Sequence, residues 1–204
     1  MISSLLADQV RARLHRVGQL VARTQLSPNW LTVLGFLLHL GVAFVIASGN
    51  LRLAGALTLL AGAFDALDGA VARASQRVTR FGGFLDSTLD RYSEALLLGG
   101  LLVYVLRAEL GVIPVLLSYA AVVGSLMVSY ARARAEAAGV RLTAGVFARP
   151  ERVVILALCL LLDRPIWALW LLALATNLTV LQRAYLMWRA CRLPERQPSD
   201  PAQG

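Results

Sequence analysis

Residues 65–73, DALDGAVAR, followed eight residues later by 82–90, GGFLDSTLD, decide how the rest of this chain is read. They set four carboxylates, Asp65, Asp68, Asp86 and Asp90, beside apolar runs such as 53–64 (LAGALTLLAGAF) and 95–103 (ALLLGGLLV). A charge left unpaired in such surroundings costs several kcal/mol or is forced neutral, so something must compensate it. On helices, Asp65 and Asp68 are three residues apart and Asp86 and Asp90 four, which puts each pair on one face about one turn apart. Two facing helices then present four carboxylates to a common centre. Hard oxygen donors in that number suit Mg2+ or Mn2+, with two ions expected, and no Cys/His cluster exists that would suit Zn2+. Gly69, Ala72, Gly82 and Gly83 remove side chains around this centre, giving close helix approach or room for a flat ligand such as a nucleotide base. The structural alternative is an ion-pair network in which Arg73, Arg80 and Arg91 neutralise the aspartates. Ionisable residues inside membrane segments are functional by default, which favours a ligand-binding centre.

The composition supplies the membrane. Of 204 residues 58% are hydrophobic, and the mean hydropathy of +0.66 is that of a polytopic membrane protein. The 20 basic residues, all arginine, outweigh 12 acidic ones for a net charge of +8. No soluble basic domain or aromatic-studded basic patch accompanies them, so nucleic acid is not an expected partner; membrane lipids and anionic phosphates are. Cys159 and Cys191 have neither metal nor redox spacing. The first 23 residues lack the uninterrupted apolar core of a signal peptide and are expected to stay in the mature protein.

The expected fold is an all-α integral membrane protein of six transmembrane helices plus an N-terminal amphipathic juxtamembrane helix. Leu6, Val10, Leu14, Val17 and Val21 recur at helical spacing with arginines on the other faces, so residues 1–24 read as a helix lying in the membrane interface. Six apolar segments follow at about 30–48, 52–73, 83–106, 110–134, 150–163 and 165–188, within a transmembrane catalytic domain over 25–190. The last two are joined by Asp163, Arg164 and Pro165, a tight hairpin with proline at a helix start. Residues 191–204 read as a disordered cytoplasmic tail. Every arginine except Arg52, Arg91, Arg107 and Arg164 falls on one side of this topology. The positive-inside rule makes that side cytoplasmic and turns the aspartate centre toward the cytosol, in a multi-pass protein of the cell membrane.

The spacing Asp-x2-Asp-Gly-x2-Ala-Arg-x8-Gly-x3-Asp-x3-Asp resembles the signature of the CDP-alcohol phosphotransferases, and the six-span plan is similar to theirs over nearly the whole chain. The resemblance implies transfer of a phosphatidyl-type group from a CDP-linked lipid to an alcohol, with release of CMP, usually in a homodimer. By position it implies Asp65, Asp68, Asp86 and Asp90 as metal ligands, with Asp90 also the catalytic base. Asp68, Gly69, Ala72, Arg73, Thr79 and Gly82 then belong to the site for the CDP part of the donor. Asn29, Trp30, Leu31 and Thr32, in the segment before the first span, join them.

Residues 129–136 (SYARARAE) and 149–152 (RPER) resemble the inositol-phosphate-using branch, the prokaryotic phosphatidylinositol phosphate synthases. This implies CDP-diacylglycerol as donor, inositol phosphate as acceptor, and Arg132, Arg152 and Arg183 around the acceptor phosphate. Ala148 stands where that branch often carries an acidic residue. Glycerol 3-phosphate is the alternative acceptor. A small divalent-cation transporter is the alternative of another class, opposed by the confinement of the carboxylates to one end of the spans.

Overall fold

The computed structural model describes residues 28–74, 79–140 and 147–192, without the side chains of Pro28 and of 67–74. The interfacial helix expected over 1–24, and the tail beyond 192, lie outside the described residues. Within them the chain is six helices and no strand: α1 (Pro28–Ser48), α2 (Leu51–Ala74), α3 (Arg80–Arg107), α4 (Val112–Ala137), α5 (Arg149–Leu161) and α6 (Pro165–Arg192). All six expected segments are helices, with ends displaced by a few residues.

Local chemistry sets several ends. Gly49, at φ 90°, closes α1 and leaves only Asn50 before α2 begins. Thr79 is the N-cap of α3, its Oγ1 accepting from the Gly82 backbone N–H at 2.9 Å. Between α5 and α6 the chain turns through Asp163 at φ 58°, and α6 opens on Pro165.

Each helix has two principal neighbours: α1 lies against α2 and α3, α6 against α4 and α5, and α2·α5 and α3·α4 complete a closed ring. Its apolar core includes Ile46, Leu97, Leu101, Leu156, Leu160, Leu169 and Leu172. Two of the crossings set a glycine directly against the backbone of the neighbouring helix. A Cβ on Gly55 would stand 2.6 Å from the Leu161 nitrogen and 2.7 Å from the Ala157 carbonyl oxygen, and one on Gly100 would strike the carbonyl of Ala43. Residues Asn29–Ser48, Val112–Ala137 and Pro165–Arg192 are long and apolar enough to cross a membrane. By contrast, α3 carries Asp86, Asp90, Arg91 and Glu94, and α5 has 13 residues.

Candidate active site

The ring brings carboxylates from α2 and α3 to one guanidinium from the first turn of α5. Nη2 of Arg149 donates to Asp65 Oδ2 at 2.8 Å, and its Nη1 is paired with Asp90 Oδ1 at 2.7 Å. Asp86, one turn before Asp90, is exposed yet within electrostatic range of Asp65 and Arg149. Arg91 folds back onto the Ser87 carbonyl of its own helix, so among the described side chains the direct counter-ion of this pair is Arg149. In the helical register of α2, Asp68, Gly69 and Ala72 follow Asp65 at three, four and seven residues, on one face; their side chains and that of Arg73 lie outside the described atoms.

Helix α1 packs closely on Asp65. A Cβ on Gly35 would lie 2.9 Å from Asp65 Oδ1. One turn further, His39 is buried, with Nδ1 2.9 Å from the Gly35 carbonyl oxygen and Nε2 3.8 Å from Asp65 Oδ2. The start of α1 meets the start of α3, where a Cβ on Gly82 would stand 3.0 Å from both Asn29 Oδ1 and Thr79 Oγ1. Three of the expected donor-site residues are therefore adjacent. Leu31 and Thr32 are half-buried on the same turn as Asn29, while Trp30 is exposed.

Among the described residues no three Asp, Glu, His or Cys side chains converge to enclose a metal ion. The donor chemistry nevertheless fits a hard divalent cation. Oxygens of Asp65 and Asp90 already share one positive charge, Asp86 adds a third carboxylate within electrostatic range, and Asp68 stands one turn from Asp65.

The three arginines expected around the acceptor differ. Arg183 is buried, donates from Nη1 to the Val128 carbonyl, and lies within electrostatic range of Arg132 and Arg152. Among the described residues its Nε has no partner. Arg132 is exposed and paired with Glu136 at 2.8 Å, one turn along α4. Arg152 is 3% exposed and held by Glu94 and the Phe147 carbonyl.

Sequence reasoning missed Arg149, Glu94, Gly35 and His39 as parts of this site. Glu94 had a signal, since it continues the four-residue spacing of Asp86 and Asp90 along α3. Arg149 belongs to the 149–152 stretch of the family resemblance and to the arginines of one membrane side, but neither reading gives it a place beside the aspartates.

The family model described as CDP-alcohol phosphatidyltransferase matches residues 25–181, so the chain belongs to that family. It is 38% identical over 183 residues to the archaetidylinositol phosphate synthase of Pyrococcus horikoshii, covering 89% of this chain and 94% of that one. The fold is similar to that of Mycobacterium tuberculosis phosphatidylinositol phosphate synthase with CDP-DAG bound, at TM-score 0.78 and 32% identity, covering 85% of this chain and 94% of the other. A structure of the same Mycobacterium enzyme with manganese and citrate matches at TM-score 0.77 and 29% identity, covering 94% and 96%.

Proposed function

We propose that this chain is an integral-membrane phosphatidyltransferase that moves the phosphatidyl group of CDP-diacylglycerol to inositol phosphate, giving phosphatidylinositol phosphate and CMP. The observation that carries the reading is the convergence of Asp65 and Asp90 from two helices on one cation, beside the Asn29, Thr79 and Gly82 cluster. It agrees with the activities named for the relatives in Pyrococcus and Mycobacterium.

Asp65, Asp68, Asp86 and Asp90 would hold Mg2+ or Mn2+, two ions in all. Bound there, the metal would neutralise the diphosphate and stabilise the leaving CMP. Asp90 accepts the proton of the acceptor hydroxyl as its oxygen attacks the lipid-bearing phosphorus; the phosphoanhydride bond breaks and CMP leaves with the bridging oxygen. Asn29, Trp30, Leu31, Thr32, Gly69, Ala72, Arg73, Thr79 and Gly82 bind the CDP part. Arg132 and Arg183 offer planar donors to the acceptor phosphate, and Arg152 contributes charge from its place on Glu94.

All six helices cross the cell membrane in this reading, residues 1–24 lie along its surface, the site faces the cytosol, and two copies form a homodimer. The test is CMP release by purified protein with CDP-diacylglycerol and, in turn, inositol phosphate, free inositol and glycerol 3-phosphate, with and without chelator. Turnover with the inositol phosphate, abolished by chelator and restored by Mg2+ or Mn2+, is the expected result. Preference for free inositol or glycerol 3-phosphate would overturn the acceptor, and full turnover in metal-free buffer the metal site.

A further inference from the structure

Arg149 and Arg152 stand one turn apart at the start of α5 and are held in opposite ways. Arg152 is satisfied at every nitrogen: Nε and Nη2 reach Glu94 at 2.5 and 2.7 Å, and Nη1 donates to the Phe147 carbonyl at 3.0 Å. Arg149 divides its two terminal nitrogens between carboxylates on two different helices, and its buried Nε has no partner among the described residues. It is also the first residue of α5, where the helix dipole disfavours a cation. The aspartates, not the helix, hold it in place. They are two of the four carboxylates assigned above to the divalent cation.

We propose that Arg149 is the resident counter-cation of the metal-free centre and competes with the divalent cation for Asp65 and Asp90. This rests on the metal reading of the preceding section. A guanidinium 2.7–2.8 Å from these oxygens takes up carboxylate charge that a divalent ion would use, and the two cations repel each other at that range, so loading the ion draws Arg149 off at least one carboxylate. The freed fork can then donate to a phosphate oxygen, so that metal and phosphate-bearing substrate favour each other's binding by linkage.

Mn2+ binding to the full-length protein in detergent, followed by electron paramagnetic resonance, tests the competition in wild type, Arg149→Gln and Arg149→Lys. A charge-assisted contact is worth about a factor of ten or more in an equilibrium constant, so Arg149→Gln is expected to bind Mn2+ at least about tenfold more tightly. Arg149→Lys keeps the charge but not the bridging fork and should fall between. A second measurement needs no variant: phenylglyoxal labelling of the wild type, resolved by mass spectrometry, should modify Arg149 faster in Mn2+ than in chelator. Unchanged or weaker Mn2+ binding by Arg149→Gln, or labelling that Mn2+ slows or leaves unaltered, overturns the competition while the metal site stands. Absence of Mn2+ binding by the wild type overturns the metal reading itself.

Discussion

Glu94 of α3 and Arg152 of α5 meet edge to edge inside the ring, carboxylate oxygens at 2.5 and 2.7 Å from Nε and Nη2. The pair joins two helices that are not principal neighbours in the ring. Removing one partner of a buried pair strands the other, so Glu94→Gln or Arg152→Gln is expected to cost about 3–5 kcal/mol of stability. Thermal unfolding of the detergent-solubilised protein measures it. The double variant Glu94→Gln/Arg152→Gln should recover part of the loss, and if Arg152 also serves the acceptor, it will regain stability without regaining acceptor affinity.

Arg183 and Arg132 are the cleaner probes of the acceptor site, because neither has a carboxylate bound to it inside the core. Replacing either by Gln removes a charge-assisted contact, so a loss of roughly ten- to hundredfold in apparent affinity for inositol phosphate is expected, with donor affinity little changed. Arg141→Gln should leave acceptor kinetics as they are. Initial rates of CMP release at varied acceptor concentration distinguish this from an anchoring role, which would alter membrane insertion and expression instead.

Asp90→Asn separates proton transfer from binding. As the assigned base it should lose on the order of 10²–10⁴ in turnover while keeping much of its CDP-lipid affinity. Asp68→Asn should weaken metal and donor binding as well. Near-normal turnover by Asp90→Asn would remove the base assignment.

Gly35 gives a test of the wall behind Asp65. A methyl group there would stand 2.9 Å from Oδ1, and the carboxylate is the end of a side chain that can rotate away. Gly35→Ala is therefore expected to fold with a thermal midpoint near that of the wild type but to bind Mn2+ more weakly. A fully preserved Mn2+ affinity would show that the position of Asp65 is not set by α1.

Much of this architecture was legible because it is written locally. Apolar runs and the Asp163–Pro165 turn each act over a few residues, so α1 to α6 were foreseen to within a few positions. The acidic motif was legible for the same reason, its four carboxylates lying within 26 residues of chain. What escaped was the set of partners. Arg149 meets Asp65 across 84 residues, and Arg152 meets Glu94 across 58. No local periodicity encodes such a meeting, since it depends on which helices the ring makes neighbours. His39 was hidden differently: it stands in an apolar stretch of α1, and only the packing of α2 brings Asp65 to within 3.8 Å of it.

That separation also fixes an order of events during synthesis. Asp65 and Asp90 leave the ribosome well before Arg149, and all of α4 is made in between. A nascent chain halted after Ala137 holds both acidic groups and not the arginine that bridges them in the finished protein. Until the fifth helix arrives, those groups must take up protons, remain hydrated or borrow a cation from their surroundings, and the later insertion of a 13-residue helix relieves that debt.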